Sequence, residues 1–233
     1  GVLKLKKSGN GVTLKSYELI PIDEKVAEDP AIAAMVEGFK ADVEADYLSK
    51  YGYTFDQVLV NNPYTFDTVK QVSATPHEST LCNIFSDAYK RAVEQATGKK
   101  VAVAITAAGV IRGSLPVGSV TVSDVFNAAS LGVGTEGELI AIYLTGKDLK
   151  NAIELDASVQ PLMNTAQLFM SGVEYSFNQN RMIFNKVDYA MLQNEDGTLE
   201  KIENDKLYFI VAGMYMGQML GSVEETSMGL LSI

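Results

Sequence analysis

The chain of 233 residues contains one histidine, one cysteine and no tryptophan. A single cysteine cannot form a disulfide within the chain, and one histidine with one cysteine cannot build the usual zinc cage of imidazoles and thiolates. No stretch approaches the run of about 18 apolar residues that a membrane-spanning helix needs. These shortages exclude a disulfide scaffold, a conventional zinc centre and a helical membrane span.

Positive charge is also scarce. The formal net charge is −10, from 19 basic and 29 acidic residues. A surface this acidic repels a phosphate backbone, so the composition argues against a nucleic-acid partner. A small anionic ligand stays compatible with the sequence, provided that positive charge is concentrated locally.

What is present is a hydrophobic core, because 47% of the residues are apolar. Helical and strand patterns alternate, which predicts an α/β class (mixed α and β) with mixed sheets covered by helices. The predicted helices start after Asp29, near Ser79, after Thr121 or Ser123, and after Thr145. The predicted strands are a hairpin within 1–23, segments 55–62 and 101–105, the ELIAIYLT run, and most of the chain after 173, with a turn at Asp196-Gly197. Residues 63–77 are expected to be a loop.

The order of these patterns predicts three parts: a tail hairpin over 1–28, a linker helix over 29–53, and a larger domain over 54–233. Gly1 leads straight into a strand, and the last residues are apolar. We therefore expect a fragment of a longer protein, with a processed mature chain as the alternative.

One segment, AAGVIRGSLP, places a lone cation directly after the apolar run VAVAIT. Arg112 offers a planar fork of donors that fits a phosphate or ribose hydroxyls. The small residues before it allow a ligand to approach the backbone closely. The alternative is structural, in which Arg112 caps a carbonyl group or pairs with a surface acid.

Four segments in order resemble the C-terminal domain of the 5'-nucleotidase family. HESTLCNIFSDAYKRA is similar to the family's E-T-N-L-G-N-L-x-x-D-A helix, and AAGVIRGSLPVGSVTVSDVF to its N-G-G-G-I-R segment. GELIAIYLTGKDLKNAIE and FMSGVEYSFN resemble two further elements of that domain. The N-terminal hairpin and the helix that starts at Asp29-Pro30 resemble the end of the family's metallophosphatase domain and its interdomain linker.

The resemblance implies a two-domain phosphoester hydrolase. Its N-terminal metallophosphatase domain would hold two divalent metal ions, and its C-terminal domain would bind the nucleotide or another small phosphoester. The family's metal motifs (D-x-H, G-N-H-D/E and G-H-x-H) are absent here, so this chain alone is expected to bind no metal and to be inactive. The family's bacterial members are commonly exported, which implies an extracellular, cell-surface or periplasmic location.

Six positions of the substrate site follow from the resemblance. Arg112 matches the substrate-binding arginine, Gly172 a glycine beside the substrate, and Tyr215 roughly one of two rings that stack on the base. Three further positions belong to the same segments, and two of these depart from the family: Gly109, Ala107 (asparagine in the family) and Leu131 (the second stacking aromatic). Thr75 also stands where the family has an arginine.

The departures leave more than one function open. The first hypothesis is the substrate-recognition domain of a 5'-nucleotidase-like hydrolase. The second is a degenerate, non-catalytic module for binding or interdomain packing, and a self-sufficient hydrolase is the third. A core role for Tyr215 stays open, and Cys82 is expected to be a small core residue because it lies on the apolar stripe of its helix.

Overall fold

The computed structural model describes residues 1–23, 25–131 and 138–214. Helices and mixed sheets alternate in it, which confirms the predicted α/β class. The helices are α1 (Pro30–Asp46), α2 (Val69–Val72), α3 (Thr80–Thr97), α4 (Val122–Ala128) and α5 (Gly146–Val159). The strands are β1 (Val2–Ser8), β2 (Gly11–Glu18), β3 (Val58–Asn62), β4 (Val103–Ala107), β5 (Gly118–Thr121), β6 (Leu139–Thr145), β7 (Leu168–Ser171), β8 (Val173–Phe177), β9 (Val187–Gln193), β10 (Leu199–Lys201) and β11 (Leu207–Gly213).

The chain divides into two compact units between Phe55 and Asp56. In the first unit β1 and β2 form an antiparallel hairpin. Helix α1 begins as predicted, because the carboxylate of Asp29 accepts hydrogen bonds from the amides of Ala31 (2.9 Å) and Ile32 (3.3 Å). The apolar stripe of α1 is exposed: the exposed side chains are Ile32, Met35, Val36, Phe39 and Val43.

The second unit is built on a four-stranded sheet with the strand order β6-β11-β4-β7. Strands β11 and β4 are parallel, and the other two pairs are antiparallel. Alternate residues of β4 face opposite layers, so that Ala104 packs in one cluster with Tyr89 of α3, while Val103 packs in another with Leu149 of α5. The prediction that the apolar run over 101–105 forms a strand buried on both faces is confirmed for 103–105, but the strand begins two residues later and continues to Ala107.

Two smaller sheets complete this unit. Strands β10, β9 and β8 form one, and β3 and β5 form the other. The predicted Asp196-Gly197 turn joins β9 to β10, with Gly197 at φ +80°. The carboxylate of Asp196 accepts a hydrogen bond from the Thr198 amide at 3.0 Å, which closes this turn.

Two local predictions differ from the structure. The predicted loop over 63–77 contains α2, whose four residues are held by a capping box between Thr68 and Gln71 and by the burial of Val72. The predicted strand before Val187 is absent in 178–186, all of which the structure describes. The Glu154 carboxylate accepts hydrogen bonds from the amides of Lys186 (2.6 Å) and Val187 (2.8 Å), so a side chain of α5 replaces a partner strand there.

Candidate substrate-binding site

Arg112 follows β4 by five residues. A 3-10 turn over 108–110 ends the strand, and Ile111 then turns inward with 1% of its surface exposed. Arg112 itself is exposed, and its amide donates to the carbonyl oxygen of Ala128 at 2.7 Å. Within the described part of the chain its guanidinium has no hydrogen bond or ion pair.

The parallel pairing of β11 with β4 brings the carboxyl ends of both strands to one edge of the sheet. Ile210 lies opposite Val103, and Ala212 lies opposite Ile105. The segment that follows Gly213 therefore starts at the edge where β4 leads to Arg112. Tyr215 comes two residues after Gly213 and lies outside the described residues.

Leu131 lies near the same edge. The hydrogen bond from Arg112 to Ala128 places the end of α4 beside the arginine, and three residues of chain span at most about 11 Å. The Leu131 side chain is 38% exposed. An aliphatic side chain at this position presents no aromatic face, so it cannot supply the second stacking ring of the family pattern.

The two small residues before Arg112 have packing partners within the protein. Ala107 is half-buried, lies opposite Leu168 of β7, and packs against the core. At Gly109, a Cβ atom would lie 2.8 Å from the carbonyl oxygen of Thr165. Close packing of two backbone segments therefore accounts for this glycine without a ligand.

Gly172 lies at the other end of β4. It joins β7 to β8 with φ +88°, and a Cβ atom there would overlap the carbonyl oxygen of Ala102, which precedes β4. It lines a cavity of about 550 Å³ together with Asp87, Lys90 and Arg91 of α3. The structure thus groups Arg112 with Leu131 and does not bring Gly172 to them.

The loop before α3 carries the single histidine. One ring nitrogen of His77 is 2.7 Å from the Thr75 carbonyl oxygen, and the other is 3.3 Å from the Asp67 carboxylate. The carbonyl contact, with the charge of Asp67, raises the pKa of His77. Ser79 donates to the same carboxylate at 2.7 Å, and its hydroxyl oxygen accepts no capping hydrogen bond from the helix that starts after it.

Gln167 fixes this loop to the segment that packs on Gly109. Its side-chain nitrogen donates to the His77 carbonyl oxygen at 2.7 Å, and its side-chain oxygen accepts from the His77 amide at 3.3 Å. Thr75 therefore belongs to a loop held in place by 164–167. As a threonine it provides no guanidinium where the family has one.

Sequence reasoning missed a buried carboxylate that joins α5 to β7 and β8. Asp156 is 2% exposed and accepts hydrogen bonds from the Leu168 amide (2.7 Å), the Tyr175 hydroxyl (2.6 Å) and the Gln160 side chain (3.2 Å). Burial raises its pKa to about 6, although the donors oppose the shift. A signal was present, because an acid three residues after Ile153 falls on the apolar stripe of α5.

Cys82 is fully buried in a core cluster with Leu81 and Phe85, which confirms the prediction of a core residue. Burial raises the pKa of its thiol to about 12, so the thiol stays protonated at neutral pH. Across the described residues, no three histidine, cysteine, aspartate or glutamate side chains are grouped so that they could hold a metal ion. None of the described helices is long and apolar enough to cross a membrane.

Comparison with known proteins places this arrangement in a family. The sequence profile of the family described as "5'-nucleotidase, C-terminal domain" matches residues 60–222. The chain belongs to this family. The resemblance recognised in its sequence segments is thereby confirmed.

Three similar proteins show how closely, and over what length, this chain matches known proteins. The trifunctional nucleotide phosphoesterase protein of Bacillus subtilis is 27% identical over 217 residues, which make up 93% of this chain and 13% of that protein. A 5'-nucleotidase precursor from Thermus thermophilus superposes with a TM-score of 0.63 at 22% identity, over 88% of this chain and 38% of that one. For the NAD nucleotidase of Haemophilus influenzae the TM-score is 0.51 at 16% identity, over 78% of this chain and 31% of that one. The chain therefore spans well under half the length of each.

Proposed function

We propose that this chain is the nucleotide-recognition part of a phosphoester hydrolase, and that Arg112 binds the phosphate or ribose of the substrate. The observation that carries the proposal is the exposed guanidinium of Arg112, which no described side chain engages, at the edge where β4 and β11 end. Family membership supports a nucleotidase-like substrate-binding role, and one relative bears the name of a nucleotide phosphoesterase.

In this proposal, Arg112 is the cationic group that recognises the ligand, in a protein whose formal net charge is −10. A guanidinium gives two parallel N–H donors to a phosphate or to a pair of hydroxyls, and each charge-assisted hydrogen bond is worth about 1.5–3 kcal/mol. Tyr215 would stack on the base. Stacking on one ring, where the family pattern has two, predicts weaker binding of the base by about 1–3 kcal/mol.

The proposal assigns the hydrolytic step to another domain of the same protein. The family resemblance implies two divalent metal ions there, which would polarise the phosphoester and activate water. The described residues of this chain do not fit such ions, since they contain no suitable cluster of ligands. No step of the metal chemistry is therefore assigned to this chain. We also propose, from the family resemblance, that the whole protein is exported.

The test is calorimetric titration of the chain with AMP, and with adenosine for comparison, for the parent protein and for Arg112→Ala. We expect Arg112→Ala to weaken AMP binding by about ten- to a hundredfold, because a charge-assisted contact is lost. Arg181→Ala is the matched control: Arg181 is a half-exposed arginine that forms a 2.5 Å ion pair with Asp188, and it is expected to leave AMP binding unchanged.

Two results would contradict the proposal. One is an absence of heat with AMP at millimolar concentration in a chain that unfolds cooperatively. The other is equal affinity in Arg112→Ala and the parent, which would make the arginine irrelevant to the ligand.

A non-catalytic module for packing is the second candidate, and specific observations favour it. Ala107 and Gly109 are both explained by contacts inside the protein, and Leu131 provides no ring. This candidate predicts a folded chain that gives no signal with nucleosides, nucleotides or other phosphoesters in a thermal-shift titration, whereas a ligand of the folded state raises the melting temperature. A nucleotide-induced shift would exclude it.

A further inference from the structure

A second cavity, of about 360 Å³, has a lining that does not include Arg112. Residues from the loop before α3, from the end of α5 and from β7, β8 and β9 line it. Arg112, Leu131 and Gly172 are not among these lining residues. The residues assigned to the nucleotide site therefore do not line this cavity, although it shares Glu78, Asn83 and Met170 with the cavity beside Gly172.

The floor of the cavity is polar and deeply buried. Gln160 and Tyr175 line it, and both donate a hydrogen bond to Asp156 behind them, at 3.2 and 2.6 Å. Gln160 is only 2% exposed. Asp156 already accepts a third bond from the Leu168 amide, so both of its oxygen atoms are in use.

The hydrogen bonds to Asp156 determine which groups of Gln160 and Tyr175 remain for a ligand. Tyr175 has one hydroxyl proton, which it gives to Asp156, so its oxygen can only accept further hydrogen bonds. The side-chain nitrogen of Gln160 donates to Asp156, which fixes the orientation of the amide. The side-chain oxygen of Gln160 accepts no hydrogen bond from the described part of the chain. Two residues of the lining thus each keep an oxygen atom that can accept a hydrogen bond, and both are bonded to the buried carboxylate of Asp156.

The walls and rim suit a flat cation. The rings of Tyr175 and Phe177 are stacked with centroids 6.1 Å apart and an interplanar angle of 25°. Glu78 and Glu174 are the acids among the lining residues. Among the described residues of the lining, His77 alone can carry positive charge, and both of its ring nitrogens are engaged by Thr75 and Asp67.

We infer that this cavity is a binding site for a small planar organic cation with N–H donors, of the amidinium or guanidinium class. The N–H groups would donate to Tyr175 and Gln160, the flat face would lie against the aromatic wall, and the positive charge would meet the field of Asp156 and the two rim acids. The same negative charges disfavour an anion. The inference does not depend on the proposed nucleotide site.

The test uses benzamidinium as the probe and benzamide as its neutral counterpart, titrated into the full chain by calorimetry. We expect benzamidinium to bind with a dissociation constant of about 1 mM or tighter, and benzamide to bind at least about tenfold more weakly, because the charge is lost. In a chain with labelled methionine methyl groups, the Met170 resonance is expected to shift, since Met170 lines the cavity, while that of Met35 in α1 stays in place.

Variants test the acceptor at the floor. Tyr175→Phe keeps the ring, removes the acceptor together with the hydroxyl that donates to Asp156, and is expected to weaken benzamidinium binding by about tenfold. Tyr143→Phe, at an exposed tyrosine of β6 outside this cavity, is the matched control and is expected to bind as the parent does. Glu78→Gln removes one rim charge without touching the Asp156 network, and serves if Tyr175→Phe does not fold.

The outcomes that overturn the inference are specific. One is that folded protein gives no heat with benzamidinium at about 10 mM. Another is that benzamidinium and benzamide bind with equal affinity. A third is that a folded Tyr175→Phe or Glu78→Gln variant binds benzamidinium as tightly as the parent. A shift of Met35 in place of Met170 would also reject this cavity as the site.

Discussion

Gly109 and Arg112 stand three positions apart in one segment, and the structure gives them different roles. Gly109 allows the backbone to approach the carbonyl oxygen of Thr165, whereas Arg112 presents its guanidinium to solvent. Under the proposed function, the same short motif combines a packing requirement at Gly109 with a ligand-binding group at Arg112. Substitutions at the two positions should therefore affect different quantities: those at Gly109 the free energy of unfolding, and those at Arg112 the ligand affinity.

Gly109→Ala is expected to lower the free energy of unfolding by about 1–3 kcal/mol, the usual cost of overpacking. The added methyl group would lie 2.8 Å from a backbone oxygen, which cannot move aside as a flexible side chain could. Urea denaturation followed by circular dichroism measures the effect.

Gly38→Ala is the control for the same chemical change. Gly38 lies inside α1, where an added methyl group would have no neighbouring atom within 4 Å. Alanine favours a helix over glycine by about 0.5–1 kcal/mol, so this variant is expected to gain stability. A Gly109→Ala protein as stable as the parent would show that the Thr165 contact does not constrain the site.

At the scale of secondary-structure elements, Asp156 is the connection between α5 and the strands β7 and β8. Its pKa in the folded protein, about 6, lies above the ordinary value of 3.8 because burial disfavours the charged form. The folded state therefore holds this proton more tightly than the unfolded state. The stability from this group is fully present below pH 4 and is lost as the pH rises through about 6.

The measurement is the free energy of unfolding of the parent and of Asp156→Asn at pH 4 and pH 7. Asparagine does not titrate, so the stability of the parent relative to the variant is expected to fall by about 2 kcal/mol between pH 4 and pH 7, at 1.36 kcal/mol per pKa unit and with part of the full effect lying below pH 4. A constant difference between the two proteins would mean that the Asp156 pKa is not raised.

Elements specified by neighbouring residues were predictable from the sequence. Asp29 and Thr121 cap their helices as expected, and Gly98 ends α3 with φ +68°. The Asp196-Gly197 turn also follows from local chemistry. Such signals depend on hydrogen bonds over three or four residues, so the sequence contains them directly.

Elements specified by distant partners were not predictable in detail. Short helix α2 is held by the burial of Val72, and the segment before β9 is held by Glu154 of α5. The Asp156 network needs three partners from different elements. Resemblance to the family located Arg112, but the separation of Gly172 from Arg112 depends on the antiparallel pairing of β7 with β4, which no local pattern encodes.

At the scale of the whole molecule, the two units differ in how much apolar surface each buries. Every residue of β1 and β2 is exposed, and Leu48 is the one buried apolar residue among the described residues up to 55. The second unit contains three buried clusters. Local opening costs little free energy where few apolar contacts are broken.

Hydrogen exchange followed by mass spectrometry should therefore separate the two units. The amides of β1 and β2 are expected to exchange at least about a hundredfold faster than those of β4 and β11, whose opening requires disruption of the core. Protection of the hairpin equal to that of β4 would contradict this, and would show that the hairpin is stabilised by contacts beyond those of its own unit.

Strand β11 is synthesised after every other described strand, yet it lies between β6 and β4. On the ribosome, a nascent chain that has just completed β10 contains β6 and β4 without the strand that separates them, and each exposes an unsatisfied backbone edge. The largest described sheet can therefore close only after β11 has been synthesised. A chain released before Leu207 would keep most of the secondary structure, but β6 and β4 would each have an unpaired edge that can pair with other chains. Such a chain is expected to be a substrate for chaperones and proteases.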